Sequence, residues 1–113
     1  MKGRMGDNAR IHHILECINK IESAISGFTY EDFERNDIYR TAVVKWLEII
    51  GEAARYITDE TKEKHPNIEW ASIIGFRNVV VHQYFAINYK IVWDVASIFL
   101  KELKTKIETI NLD

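Results

Sequence analysis

The chain has 113 residues, 47% apolar and 28% charged, with five glycines, one proline and one cysteine. This balance excludes a disordered tail, a fibre and a two-domain enzyme, and predicts one domain over residues 1–113 with its core at about 7–110. With 15 basic residues against 17 acidic ones the formal net charge is −2. No global positive field exists to hold long nucleic acid, so any RNA or DNA contact must be local.

Cys17 has no partner for an intrachain disulfide, which fits a reducing cytoplasm. No apolar run approaches the roughly 18 residues of a membrane span, and the opening MKGRMGDNAR lacks the apolar stretch of a secretory signal. The expectation is a cytoplasmic protein with no membrane segment.

Isoleucine far outnumbers leucine, which by propensity suggests strands, but the apolar residues recur at helical spacing and the period decides. Ile11, Ile14, Leu15, Ile18, Ile21 and Ile25 draw one stripe, opened by Asp7 or Asn8 as N-cap and closed at Gly27. In segment 28–36, Thr29 precedes Asp32 by three residues, a capping-box analogue that suits a short helical turn. A second long helix runs from about Asp37 to Ile57, with Val43, Val44, Leu47, Ile50, Ala54 and Ile57 on its apolar face and Gly51 and Ala53 as small residues. Asp59 is expected to cap a short charged piece that Pro66 ends. The pattern resumes at about Trp70 through Ile73, Ile74, Phe76 and Val80. After a turn near 85–88, a last helix carries Ile91, Val92, Val95, Ile98, Phe99, Leu103, Ile107 and Ile110. Four main helices with short connections predict an all-α fold, an antiparallel up-and-down four-helix bundle with short extra helical segments.

The segment from Ile74 to Phe85 places Arg77, Asn78, His82 and Tyr84 in an otherwise apolar helix, where polar groups are costly unless paired or used. At about 100° per residue, Arg77 and Tyr84 share one stripe and Asn78 and His82 another, while Arg77 and His82 point about 140° apart. One helix cannot easily aim both at a single phosphate unless it ends near His82 or a second chain supplies its own copy across a two-fold axis. A dimer is therefore expected. Arginine offers a planar fork to phosphate oxygens, and histidine takes and gives protons near neutrality. Together they suit metal-independent RNA cleavage, with histidine as general base on the 2′-hydroxyl and arginine stabilising charge on the phosphoryl oxygens. Structural hydrogen bonding is the commoner role for such a pair when spacing is the only evidence.

Other candidates are weaker. His12 and Glu16 are four apart, but nothing completes a metal site, and Glu48 and Glu52 lack the following histidines of a di-iron bundle. Gly51 and Gly75 are isolated, so no phosphate loop is present and no cofactor is expected. Trp46, Trp70 and Trp93 read as core or interface anchors, Cys17 as a small buried hydrophobe, and Lys101, Glu102, Lys104, Lys106 and Glu108 as a solvated face.

The string Arg77-Asn78-x-x-x-His82-x-Tyr84 resembles the R-x4-H-x-Y signature of HepT-like proteins, a branch of the HEPN superfamily. Leu47-Glu48-Ile49-Ile50-Gly51-Glu52-Ala53-Ala54, His65-Pro66-x-Ile68-x-Trp70 and Ile91-Val92-Trp93-Asp94 resemble the family's other recurrent blocks, so the similarity covers roughly residues 7–110. The resemblance implies an HEPN-like four-helix toxin that forms a homodimer, with Arg77 and His82 of both chains meeting at a composite ribonuclease site and Asn78 as a supporting polar group. It also implies a toxin-antitoxin partner, an MntA-like minimal nucleotidyltransferase that transfers AMP from ATP to Tyr84. The alternative is a non-catalytic substrate-binding or interaction subunit of that nucleotidyltransferase. A purely structural helical dimer is the third reading.

Overall fold

In the computed structural model the backbone is described for residues 2–81 and 87–110, and side chains for residues 6–76 and 87–110. Helix α1 spans Lys2–Ile25. Its stripe of Ile11, Ile14, Ile18, Ile21 and Ile25 is buried as the spacing predicts, Cys17 with it. Gly27, at φ 78°, turns the chain out of the helix while the Phe28 amide bonds the Ile25 carbonyl at 2.9 Å. The expected N-cap at Asp7 or Asn8 is incorrect, because the helix starts further back, at Lys2. Asp7 lies inside it, 2% exposed, and its carboxylate serves donors from a distant corner of the chain rather than the amides of its own helix.

Helix α2 (Tyr30–Arg35) opens with the full capping box: the Asp32 amide donates to Thr29 Oγ1 at 3.2 Å, and the Thr29 amide donates to Asp32 Oδ2 at 3.0 Å. Asn36 caps α3 (Asp37–Arg55), accepting from the Tyr39 amide at 3.1 Å. Val43, Leu47, Ile50, Gly51 and Ala54 make the buried face of α3. The helix stops two residues before the expected Ile57, whose amide still bonds the Ala54 carbonyl in a final turn. The N-cap of α4 (Asp59–Lys64) is Thr58 rather than Asp59. Thr58 has extended backbone and offers its hydroxyl oxygen to the Thr61 amide, whereas Asp59 is already helical. The break at His65-Pro66 is as predicted. Trp70 Nε1 donates to the His65 carbonyl at 3.1 Å, which fixes the approach to α5 (Trp70–Val81).

Asn88 caps α6 (Tyr89–Asp94), its Oδ1 accepting from the Lys90 and Ile91 amides. The expected single last helix is interrupted by a π-helical turn, π1 (Val95–Phe99), before α7 (Leu100–Glu108). The apolar stripe survives, because Val92, Ala96, Leu100, Leu103 and Ile107 remain buried.

The arrangement follows from which ends meet. Asp7 near the start of α1 bonds Thr58 just past α3, and Phe28 past the end of α1 packs edge-on against Tyr39 at the start of α3 at 5.1 Å. Helices α1 and α3 therefore run antiparallel. The α3 helix lies between α1 and α5 and packs most extensively against both, while π1 and α7 close over α1. Phe33 of α2 is fully buried against Trp93 and Tyr89. Each buried isoleucine or phenylalanine contributes about 1.5–3 kcal/mol by leaving water, and one continuous cluster of such residues joins the bundle. The fold is all-α, with no strand among the described residues. No helix among them is long and apolar enough to cross a membrane.

Candidate active site

Helix α5 is apolar over most of its length, and its buried residues Trp70, Ile73 and Phe76 recur at helical spacing. This face packs on α3, where Gly51 and Ala54 are buried small residues that permit close helix approach. Phe76 meets Phe99 of π1 edge-on, with ring centroids 5.4 Å apart. The last side chain described on α5 is therefore held from two directions, and Arg77 and Asn78 follow it on the same helix. The Arg77 and Asn78 side chains, and His82 and Tyr84 entirely, lie outside the described residues. The convergence of Arg77 and His82 remains an expectation from the sequence.

The other sequence candidates take structural places. Glu16 faces Lys20 at 3.7 Å, and Glu48 faces Lys45 at 3.4 Å. Among the described residues no three His, Cys, Asp or Glu side chains gather as metal ligands. Burial raises the Cys17 thiol above its ordinary pKa, which suits a core residue and not a nucleophile. Trp70 is buried, and Trp93 packs on Phe33 at 5.4 Å and on Tyr30 at 6.4 Å, as anchors do. The supposed solvated lysine face is only partly so, since Lys104 reaches across to Glu22 of α1 at 2.8 Å. A cleft of about 470 Å³ opens beside that pair, between the end of α1 and π1, lined by Gly27, Phe28, Trp93, Ser97 and Lys101 among others.

Two groupings were not visible in the sequence. Asp7 accepts from the Thr58 amide at 3.0 Å and from the Thr58 and Thr61 hydroxyls, each at 2.6 Å. Burial by itself would raise the Asp7 pKa; the hydroxyls of Thr58 and Thr61, the Thr58 amide and the nearby charge of Arg10 outweigh it and hold the carboxyl below its ordinary value. One turn further along α1, the Arg10 guanidinium stands over the Tyr56 ring, which also receives Arg55. Asp7 and Arg10 lie more than 40 residues from Thr58, Thr61 and Tyr56 in the chain, so no spacing rule connects the two ends.

Comparison with known proteins adds what the geometry leaves open. The family model described as "Ribonuclease HepT-like" matches residues 14–110, a span that contains the whole Arg77 to Tyr84 string. The chain is 36% identical over 102 residues to a Methanocaldococcus jannaschii protein named "Putative RNase MJ1380", covering 90% of this chain and 94% of that one. It is 34% identical over 100 residues to "Putative RNase TTE0752" of Caldanaerobacter subterraneus subsp. tengcongensis, covering 88% and 89%. It is 32% identical over 101 residues to "Probable ribonuclease HepT" of Thermococcus cleftensis, covering 89% and 92%. No solved structure matches at a significant level. With a family model spanning most of its length and relatives matched almost end to end, the chain belongs to the HepT-like ribonuclease family.

Proposed function

We propose that this chain is a metal-independent endoribonuclease, the toxin of a HepT/MntA-type toxin-antitoxin system. The observation that carries the reading is the coincidence of the ribonuclease family match with an intact Arg77-x4-His82-x-Tyr84 string in the sequence, whose Arg77 follows Phe76 on a helix anchored to the rest of the bundle. In the proposed reaction His82 takes the proton from a ribose 2′-hydroxyl, the 2′-oxygen attacks the adjacent phosphorus, and the 5′-oxygen of the next nucleotide leaves. A 2′,3′-cyclic phosphate results. Arg77 stabilises the charge that builds on the non-bridging oxygens, and Asn78 supports the phosphate or the arginine.

The site is composite in this reading, built by a homodimer that brings Arg77 and His82 of two chains together. Exposed apolar side chains such as Ile91 and Ile98, seven residues apart on the last helical stretch, offer surface for pairing. A nucleotidyltransferase antitoxin silences the site. The Tyr84 phenolic oxygen attacks the α-phosphorus of ATP, pyrophosphate leaves, and AMP remains on the tyrosine. The added negative charge and bulk oppose the binding of a substrate phosphate.

The test is cleavage of single-stranded RNA in EDTA by the purified chain. Activity should persist in EDTA, leave cyclic-phosphate ends, and fall by about 10²–10⁴ in His82→Ala and by about 10²–10³ in Arg77→Ala. Folded, unmodified protein with no cleavage of any RNA, or His82→Ala retaining full activity, contradicts the proposal.

A further inference from the structure

Arg10, Tyr56 and Arg55 meet at one corner of the bundle, where α1 begins and α3 ends. The Arg10 guanidinium carbon lies 5.7 Å from the Tyr56 ring centroid and that of Arg55 lies 5.6 Å from it. Tyr56 is 55% exposed. Local geometry holds this grouping in place. Asp7 sits one helical turn before Arg10 and bonds Thr58, two residues beyond Tyr56, so the carboxylate sets the register in which α1 presents Arg10 to the tyrosine.

The charges are left available. Among the described residues, neither guanidinium has a carboxylate within ion-pair distance. Asp7, whose charge does act on Arg10, is 2% exposed and directs both oxygens to Thr58 and Thr61. A cation over an aromatic face keeps its full charge and its N–H donors. Two arginines disposed about one ring are close enough to engage neighbouring phosphates of a single strand, each with the fork geometry that matches phosphate oxygens. The half-exposed Tyr56 ring holds both guanidiniums at one place on the surface. In a chain whose overall charge is −2, such a local device is what nucleic-acid binding requires.

We infer that Arg10 of α1, Arg55 at the end of α3 and Tyr56 just past it form a docking site for the backbone of single-stranded RNA, made of residues other than those of the Arg77–His82 motif. The inference rests on the reading of the chain as a ribonuclease, and it supplies a hold on the strand beyond the cleaved linkage.

The experiment uses a fluorescent 2′-O-methyl RNA oligonucleotide, which lacks the attacking hydroxyl and so reports binding without cleavage. Affinity is measured across a salt series for the wild-type chain, Arg10→Ala/Arg55→Ala, and a charge-matched control, Lys45→Ala/Lys64→Ala. The arginine pair should weaken binding about tenfold at low salt and lower the slope of log K against log salt by about 1.4, as loss of two phosphate contacts to a single strand predicts. Tyr56→Ala should weaken it less. If the alanine pair does not fold, Arg10→Gln/Arg55→Gln, which keeps the side-chain stems, is read instead. Binding equal to wild type, or a loss no greater than in the lysine control, overturns the inference; so does an effect confined to binding of the nucleotidyltransferase. Wild-type cleavage of ordinary RNA is scored separately, so failure of the docking site and failure of the ribonuclease reading are told apart.

Discussion

The Asp7 carboxylate shows how much one buried side chain can organise in a small bundle. It satisfies an amide and two hydroxyls from a corner 51 to 54 residues away, and its removal leaves that amide and the short 2.6 Å hydroxyl bonds without their acceptor. Asp7→Ala should cost about 3 kcal/mol in a denaturant melt, the scale of a buried, charge-assisted network left unpaired. The sign of its pH dependence follows from the lowered pKa. A carboxyl whose folded pKa lies below its unfolded one contributes stability above the unfolded value and loses it as pH falls through the folded value. The stability gap between wild type and Asp7→Asn should therefore be full at pH 7 and narrow below about pH 4. A gap that is constant from pH 7 to pH 2.5 would refute the role given to its charge. The sequence offers Asp7 only as a local N-cap, because its real partners are adjacent in space and remote in the chain. The same blindness hides the Arg10, Tyr56 and Arg55 grouping and the reach of Lys104 to Glu22.

At the scale of elements, local chemistry wrote most boundaries plainly. Gly27, the Thr29–Asp32 box, Pro66 and Asn88 each act on residues within one turn, and each marks a boundary in the fold. Gly27 is the clearest case. A Cβ there would meet nothing within 4 Å, so any cost of Gly27→Ala comes from the left-handed backbone alone. The expected loss is about 1 kcal/mol, read as a shift of the denaturation midpoint with unchanged slope. Thr29→Ala removes one half of the capping box and should cost a similar amount. A stability change near zero in both would show that these turns are set by packing instead. The π turn at Val95–Phe99 was illegible for a different reason: a wider turn still leaves Ala96 and Leu100 on the buried side, so hydrophobic period does not register it. What it does place is Phe99, which braces Phe76 immediately before Arg77. Phe99→Ala should thus lower ribonuclease turnover as well as stability. Unchanged turnover in the folded variant would separate the brace from the proposed site.

At the scale of the molecule, the period of the apolar residues sufficed for an all-α bundle, since α1, α3, α5 and the last helical stretch each bury one stripe. The proposed catalytic arrangement is legible only as a pattern of residue types in the sequence. On an uninterrupted helix Arg77 and His82 would point about 140° apart, so the convergence we propose needs a further element, and a second chain is the simplest physical solution. That solution can be tested without knowing the natural RNA target. Arg77→Ala and His82→Ala chains, each inactive alone, are co-expressed with different tags and the mixed dimer is purified through both. The account predicts that this dimer regains EDTA-resistant RNA cleavage, because one chain supplies the arginine and the other the histidine. A folded mixed dimer as inactive as either parent would contradict a site shared between two chains.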